Sequence, residues 1–260
     1  MIELLGVELF GTEIFLAVIV LAFFCELIDS SLGMGYGTTL TPLLMIFGFG
    51  PLAIVPCILL SELLTGISAG IAHHKAGNVS FKRNSIHLKI ALVLAVCSVI
   101  GATVAVFVAI NIPKIVLSTY IGVIVLGMGI IILLTLNKEY KFSWKKIIGL
   151  GSIAAFNKGM SGGGYGPVVT GGQILSGIQG NNAVGITSLA EGLTCVVGVI
   201  VFIVAPGSVD WSLAPSLIIG AMLSVPFSTV IVKKLPTKTL KIIIAVLTII
   251  LGAYTLYKVL

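Results

Sequence analysis

The chain has 260 residues, of which 58% are hydrophobic and only 9% charged, with a mean hydropathy of +1.21. No water-soluble fold of this length can cover such a composition with polar surface, so the sequence predicts an integral, multi-pass protein of the cell membrane with the lipid bilayer as its solvent. The net charge of +6 is carried by lysines and one arginine in short loops, a distribution that reports orientation in a membrane and does not describe a nucleic-acid surface.

Ten apolar segments follow one another, at about 13–32, 38–49, 53–72, 86–109, 113–136, 147–161, 167–177, 182–205, 212–232 and 239–260. A span needs roughly 20 residues, so almost nothing remains for a soluble domain. Glu3, Glu8 and Glu13 with no basic residue are the wrong sign for a cleaved signal peptide at the start. The second and seventh segments are too short to cross. At about 1.5 Å per residue each covers about half of a roughly 30 Å core and reads as a half-helix.

Each short segment follows a glycine cluster, Gly33-Met34-Gly35-Tyr36-Gly37 in the first half and Gly162-Gly163-Gly164-Tyr165-Gly166 in the second, 129 residues apart. With that offset and no gap, Thr41 meets Thr170, Gly48 meets Gly177, Glu62 meets Glu191 and Thr65 meets Thr194. The expected fold is an all-α polytopic membrane protein of two repeats, residues 1–137 and 138–260, with about five segments each. Loop charge sets their orientation. Lys75, Lys82, Arg83 and Lys89 follow segment three, but only Asp210 follows its counterpart, segment eight. Only Lys114 follows segment four, while Lys233, Lys234, Lys238 and Lys241 follow segment nine. By the positive-inside rule equivalent loops lie on opposite sides of the membrane, which makes the repeats inverted, as in many secondary transporters. Lys138, Lys141, Lys145 and Lys146 place the link between the halves inside as well.

Within the segments the ionisable residues are Glu26, Asp29, Glu62, Lys158 and Glu191. Each would cost about 2.5 to 3.5 kcal/mol at a helix centre, so each should face a cavity or a partner. Asp29 and Lys158 occupy equivalent positions and are the natural structural pair. Glu62 and Glu191 then have no cation left to neutralise them. Asp29, Glu62, Lys158 and Glu191 are therefore the expected coupling or gating residues, the glutamates serving proton or sodium coupling. On segment eight Thr187, Glu191, Thr194 and Gly198 share one helical face, and on segment three Glu62, Thr65 and Ala69 do, with Gly66 and Gly70 beside them for helix packing.

A glycine turn before a short helix exposes backbone N–H groups at the positive end of a helix dipole, which is an anion cradle. The expected substrate-binding set is Gly33, Gly35, Tyr36, Gly37, Thr38 and Thr41 from the first half. From the second half it is Asn157, Gly162, Gly163, Gly164, Tyr165, Gly166, Thr170 and Gln173, with Pro167 in the first turn of its helix. Tyr36 and Tyr165 lie in Gly-Tyr-Gly, which makes an ion channel the main rival. A filter, however, needs four carbonyl loops of one polarity, and this chain has two of opposite orientation. A membrane scaffold is the other alternative. No phosphate-binding loop occurs, His73 and His74 are not spaced for a metal, and the four cysteines lie in apolar segments, so no catalytic residue, cofactor or metal is expected.

The glycine cluster running into a short helix and proline (Gly33 to Pro42, and Gly162 to Pro167), the stretch His74-Lys75-Ala76-Gly77-Asn78-Val79 and the tandem duplication give the chain its family likeness. Over nearly its whole length it resembles the sulfite exporter TauE/SafE family of membrane anion permeases. The resemblance implies transport of sulfite, sulfonates or related sulfur oxyanions without ATP hydrolysis, and admits a homo-oligomer. The first copy departs from the family's glycine triplet, with Met34 and Tyr36 in place of glycines, and the second copy carries its proline earlier, so the two half-sites are not chemically equivalent.

Overall fold

The structure is a computed structural model and describes residues 6–9, 12–136, 143–175, 178–204, 209–231 and 237–259. Residues that alternate in polarity at the start, from Val7 to Leu9 and from Thr12 to Ile14, pair as an antiparallel hairpin of β1 (Gly6–Leu9) and β2 (Thr12–Phe15). The first helix, expected from residue 13, therefore begins at Leu16. After it comes one helix per apolar segment: α1 (Leu16–Leu32), α2 (Tyr36–Ile46), α3 (Pro51–Lys75), α4 (Ile86–Asn111), α5 (Lys114–Leu134), α6 (Trp144–Ser161), α7 (Tyr165–Leu175), α8 (Gly180–Val204), α9 (Ala214–Ile231) and α10 (Thr237–Val259).

The ends follow from local chemistry. Pro51 opens α3, where a missing N–H costs nothing, and Ser85 Oγ accepts from the Leu88 N–H at the start of α4. Gly33 and Gly162 close α1 and α6 in the left-handed conformation, with N–H groups bonded to the Asp29 and Lys158 carbonyls at 2.5 and 2.8 Å. Among the described residues five stretches are long and apolar enough to cross a membrane: α3, α4, α8, α9 and Lys114–Ile131 of α5. Ile100 and Val204 are 75% and 81% exposed, side chains that only lipid can cover at no cost.

The two short helices turn back on the helices before them. Phe15, where α1 begins, packs edge-on against Phe49, just beyond α2, with ring centroids 6.1 Å apart, so α1 and α2 form a hairpin. Ile147 near the start of α6 and Ile178 just beyond α7 share an apolar cluster with Val79 and Phe81, so α6 and α7 form another. Phe49 leads into the first residue of α3, whereas Val79 and Phe81 follow its last. The hairpins thus enter from opposite ends of α3, and their glycine tips meet between those ends.

Other contacts sort the charges by end. Cys57 Sγ, early in α3, lies 3.4 Å from the Asp210 carbonyl. Asn78 Nδ2, beyond the other end of α3, donates to the Thr229 carbonyl at 3.3 Å. Lys258 Nζ, late in α10, donates to the Met45 carbonyl at 3.2 Å. Lys75, Lys82, Arg83 and Lys145 therefore gather at one end with the start of α10 and its Lys238, and Asp210, Lys114 and Lys258 lie at the other. Lys138, Lys141, Lys233 and Lys234, and the boundary at 137/138, lie outside the described residues, as do the side chains of Lys146, Pro167 and Lys241.

The long helices pack as α3 with α8, α5 with α10, α1 with α9 and α4 with α6, while α4 also lies on α8 and α9 on α3. Exchanging each helix for its counterpart 129 residues away maps this set onto itself: α1 with α9 becomes α6 with α4, and α3 with α8 is unchanged. The halves are interleaved and share one core. Small residues make the crossings close: a Cβ on Gly66 of α3 would lie 2.7 Å from Gly192 N and the Ser188 carbonyl of α8, and one on Gly252 of α10 would lie 2.5 Å from Leu126 N of α5.

Candidate functional site

The glycine tips touch backbone to backbone. A Cβ on Gly163 would lie 2.6 Å from Thr38 N and 2.7 Å from the Gly37 carbonyl carbon, and one on Gly166 would lie 2.6 Å from Met34 Cα. Gly33, Gly35, Gly162 and Gly164 take φ values of 68, 134, 71 and 78°, a region that side chains with a Cβ rarely enter. Two threonines staple each tip to the other: Thr41 donates to the Ser161 carbonyl at 2.9 Å, and Thr170, its counterpart, donates to the Gly33 carbonyl at 2.7 Å. Tyr36 and Tyr165 are fully buried in two different apolar clusters, and the Tyr36 hydroxyl shares a hydrogen bond with Ser61 Oγ at 2.9 Å.

Twelve of the fourteen expected substrate-binding residues thus come together at the tips. Asn157 sits behind Gly164 and accepts from the Tyr120 hydroxyl at 2.6 Å. Gln173 joins through Thr187, to whose hydroxyl it donates at 2.9 Å, and Thr187 in turn shares a 2.8 Å bond with Thr170. The tips differ from the expected open cradle in one respect. The Tyr36 N–H, at the start of α2, donates to Asp29 Oδ1 at 3.1 Å, and the Gly163 N–H donates to Ser161 Oγ at 3.2 Å. A carboxylate from the protein therefore already satisfies the first hairpin's helix end, where an anion would be held. Thr38 Oγ1 and Gln173 Oε1 are buried without a partner.

The ionisable side chains meet beside the tips, but in a pairing the repeat does not suggest. Lys158 Nζ forms an ion pair with Glu62 Oε2 and a second, at 2.7 Å, with Glu191 Oε1, and all three residues are buried. The expected partner, Asp29, instead turns to the Tyr36 N–H. The physical reason is that Lys158 sits on the α6 hairpin against the meeting line of α3 and α8, where two carboxylates from facing helices need one cation between them. Asp29 remains close: one carboxylate oxygen each from Asp29, Glu62 and Glu191 lie within 4.8 Å of one another. The polar stripes of α3 and α8 face each other here, Thr65 and Thr194 each donating to a carbonyl one turn back at 3.1 and 2.8 Å. Gly66 and Gly70 serve packing, against Gly192 and Leu189.

Sequence alone does not assign three contributors to the site, although it marks Glu26 as an ionisable residue needing a cavity or a partner. Glu26 lines the same cluster, with Oε1 accepting from Ser30 Oγ at 2.5 Å. Its counterpart at the 129-residue offset is Ala155, so the repeat gives no signal for it. Ser161 bridges its own tip. His73 links the tip region to the loop after α3: its Nε2 lies 2.8 Å from the Ser30 carbonyl and its Nδ1 2.9 Å from Asn78 Nδ2. That geometry assigns the imidazole an Nε2 proton given to Ser30 and an Nδ1 lone pair taking an Asn78 N–H.

Residues 18–255 match the family described as Sulfite exporter TauE/SafE. The chain belongs to this TauE/SafE family. It is also 30% identical over 245 residues to "Probable membrane transporter protein YtnM" of Bacillus subtilis (strain 168), an alignment covering 89% of this chain and 79% of that protein. As a TauE/SafE member the chain is a multi-pass membrane transporter. Within it the stretch from His74 to Val79 acquires a structural account. Gly77, at φ 76°, reverses the chain after α3, Asn78 then binds His73, and Val79 packs on Gly185 of α8. In this TauE/SafE chain the loop therefore fixes α3, α8 and the end of α1 to one another.

Proposed function

We propose that the chain is a secondary transporter for a small sulfur-containing anion such as sulfite, thiosulfate or an organosulfonate, held where the two glycine tips meet. The observation that carries this is the meeting itself: two helix starts, brought from opposite ends of the bundle, converge on one another at the level of a buried ion-pair cluster. Backbone N–H groups at helix N-termini suit a tetrahedral or pyramidal oxyanion, and the described membrane segments hold no arginine to do it by side chain. The halves differ in sign. Asp29 takes an N–H of α2 in the first hairpin, whereas the equivalent residue in the second, Lys158, is turned to Glu62 and Glu191 and places no carboxylate at the tip, so the second tip carries the larger share of anion binding.

Two inverted-topology repeats, residues 1–137 and 138–260, give this site its alternating access. Support comes from hairpins entering from opposite ends, helix pairings unchanged by the 129-residue exchange, and basic side chains gathered at one end of the bundle. Asp29, Glu62, Lys158 and Glu191 couple or gate the movement. A dianion leaving a negative-inside cell gains about 4.6 kcal/mol per 100 mV, at roughly 2.3 per charge, so export runs downhill without a coupling ion, and import needs more than about two protons or sodium ions per dianion.

Uptake of labelled sulfite and thiosulfate into proteoliposomes tests the reading. Saturable uptake, competed by related sulfur anions and not by simple carboxylates, is expected. Currents at open-pore rates would make the protein a channel, and absence of flux for every sulfur anion would overturn the substrate class.

A further inference from the structure

Beside the tips lies a cavity of about 10 Å³, walled by Glu26, Asp29, Glu62, Glu191 and the hydroxyls of Ser30, Thr65 and Ser188. With its carboxyl groups ionised, that wall presents only acceptors. Ser30 gives its proton to Glu26 Oε1, Thr65 to the Ser61 carbonyl and Ser188 to the Val184 carbonyl, so their oxygens turn only lone pairs inward. Lys158 holds Glu62 through Oε2 and leaves Oε1 buried without a partner, and Glu26 Oε2 is likewise buried and unpartnered, both residues being 2% exposed. Four carboxylates thus share one ammonium group.

An all-acceptor wall repels anions and is completed by a positive occupant. The space admits about one particle the size of a water molecule, which excludes an ion that keeps its hydration shell, as magnesium does. Three oxygens within 4.8 Å of one another leave a central ion at most about 2.8 Å from each, and a slight contraction brings them to the roughly 2.3–2.6 Å of hard cations bound by oxygen. A divalent ion among four carboxylates would be held too tightly to leave in every cycle, because affinity rises with ligand charge. We propose that this cavity is a sodium site, with carboxylate oxygens of Asp29, Glu62 and Glu191 as its ligands and the unpartnered Glu26 carboxyl on its wall completing the negative charge. The inference deepens the transport reading by naming the coupling ion. Asp29 connects the two sites directly, since its carboxylate lines the cavity and holds the Tyr36 N–H at the tip. A sodium ion that draws Asp29 inward frees that N–H for the anion.

The test measures sodium alone, with no anion substrate present. Full-length protein in detergent is melted in sodium, potassium and choline chloride at constant ionic strength, and binding of radioactive sodium is counted on the same samples. Expected are a saturable rise in melting temperature with sodium only, binding competed by unlabelled sodium and not by potassium, and loss of both in Glu26→Gln. If that variant does not fold, the wild-type binding measurement stands on its own. No sodium-specific binding would overturn the site, leaving the cavity to water or protons, and so would stabilisation by micromolar calcium without any effect of sodium. Sodium binding together with a failure to transport any sulfur anion would uphold this site and remove the substrate proposed above.

Discussion

Lys158 pairs with two glutamates from facing helices, and among the described residues no other lysine or arginine is buried. Removing one member of a buried ionic cluster costs about 3–5 kcal/mol because the remaining charges lose their partner. Lys158→Met should therefore destabilise the protein by about that amount, and Lys158→Met combined with Glu62→Gln and Glu191→Gln should recover most of it, as read from thermal unfolding in detergent. A single Glu191→Gln leaves the Lys158–Glu62 pair intact and should fold. Glu62→Gln likewise keeps the Lys158–Glu191 pair, and if the glutamates serve proton or sodium coupling each single variant should reduce the dependence of uptake on the ion gradient; unchanged dependence in both would make the glutamates purely structural. The sequence marks Glu62, Glu191 and Lys158 as special because a charge in an apolar helix needs a reason. It does not disclose who pairs with whom. Residues at equivalent repeat positions sit at corresponding places on different hairpins and need not touch, which is why Asp29 and Lys158 bond elsewhere.

At the level of elements the proposed mechanism rests on the hairpins α1–α2 and α6–α7, and their tips separate two effects of glycine. Gly35 and Gly164 need positive φ, so a β-branched residue there strains the turn itself. Gly163 has no such φ; its Cβ would strike the other hairpin at 2.6 Å from Thr38 N. Gly35→Val and Gly164→Val should abolish transport by deforming the cradle. Gly163→Ala should keep each hairpin intact, hold the tips apart and lower stability by about 1–3 kcal/mol, with uptake and melting temperature measured on the same preparation. The ten helices and the shortness of α2 and α7 were legible because apolar runs and glycine clusters are properties of local sequence. Their return path was not, since it depends on Phe15 meeting Phe49 and on Ile147 and Ile178 joining one apolar cluster, placements that hydropathy does not encode. The β1–β2 hairpin was masked by the apolar content of residues that alternate too briefly to stand out.

For the whole molecule, orientation is the open prediction. In a background with Cys97 replaced, single cysteines at Lys82 and Lys238 should react with a membrane-impermeant reagent only from the cytoplasm, and one at Asp210 only from outside. Reaction of the Lys82 and Asp210 positions from one side would rule the inverted arrangement out. Legibility at this scale was high for loop charge, which requires no three-dimensional information, and nil for the interleaving of α1 with α9 and α4 with α6, which no local pattern announces. The tip-to-tip contact has one more consequence, which concerns the idle protein. A membrane that stores a voltage cannot tolerate a conduit through charged groups at its centre, and here the two hairpin tips meet with peptide backbone pressed on peptide backbone and two threonines across the seam. In the proposed mechanism the glycines would act as an electrical seal as well as a docking place, broken only in the fraction of molecules whose hairpins have parted. If about one molecule in a hundred is parted, cargo binds about a hundredfold more weakly than to the open form, and the membrane stays insulated in exchange. Vesicles carrying Gly163→Ala should lose an imposed potential faster than wild-type vesicles even with no cargo present.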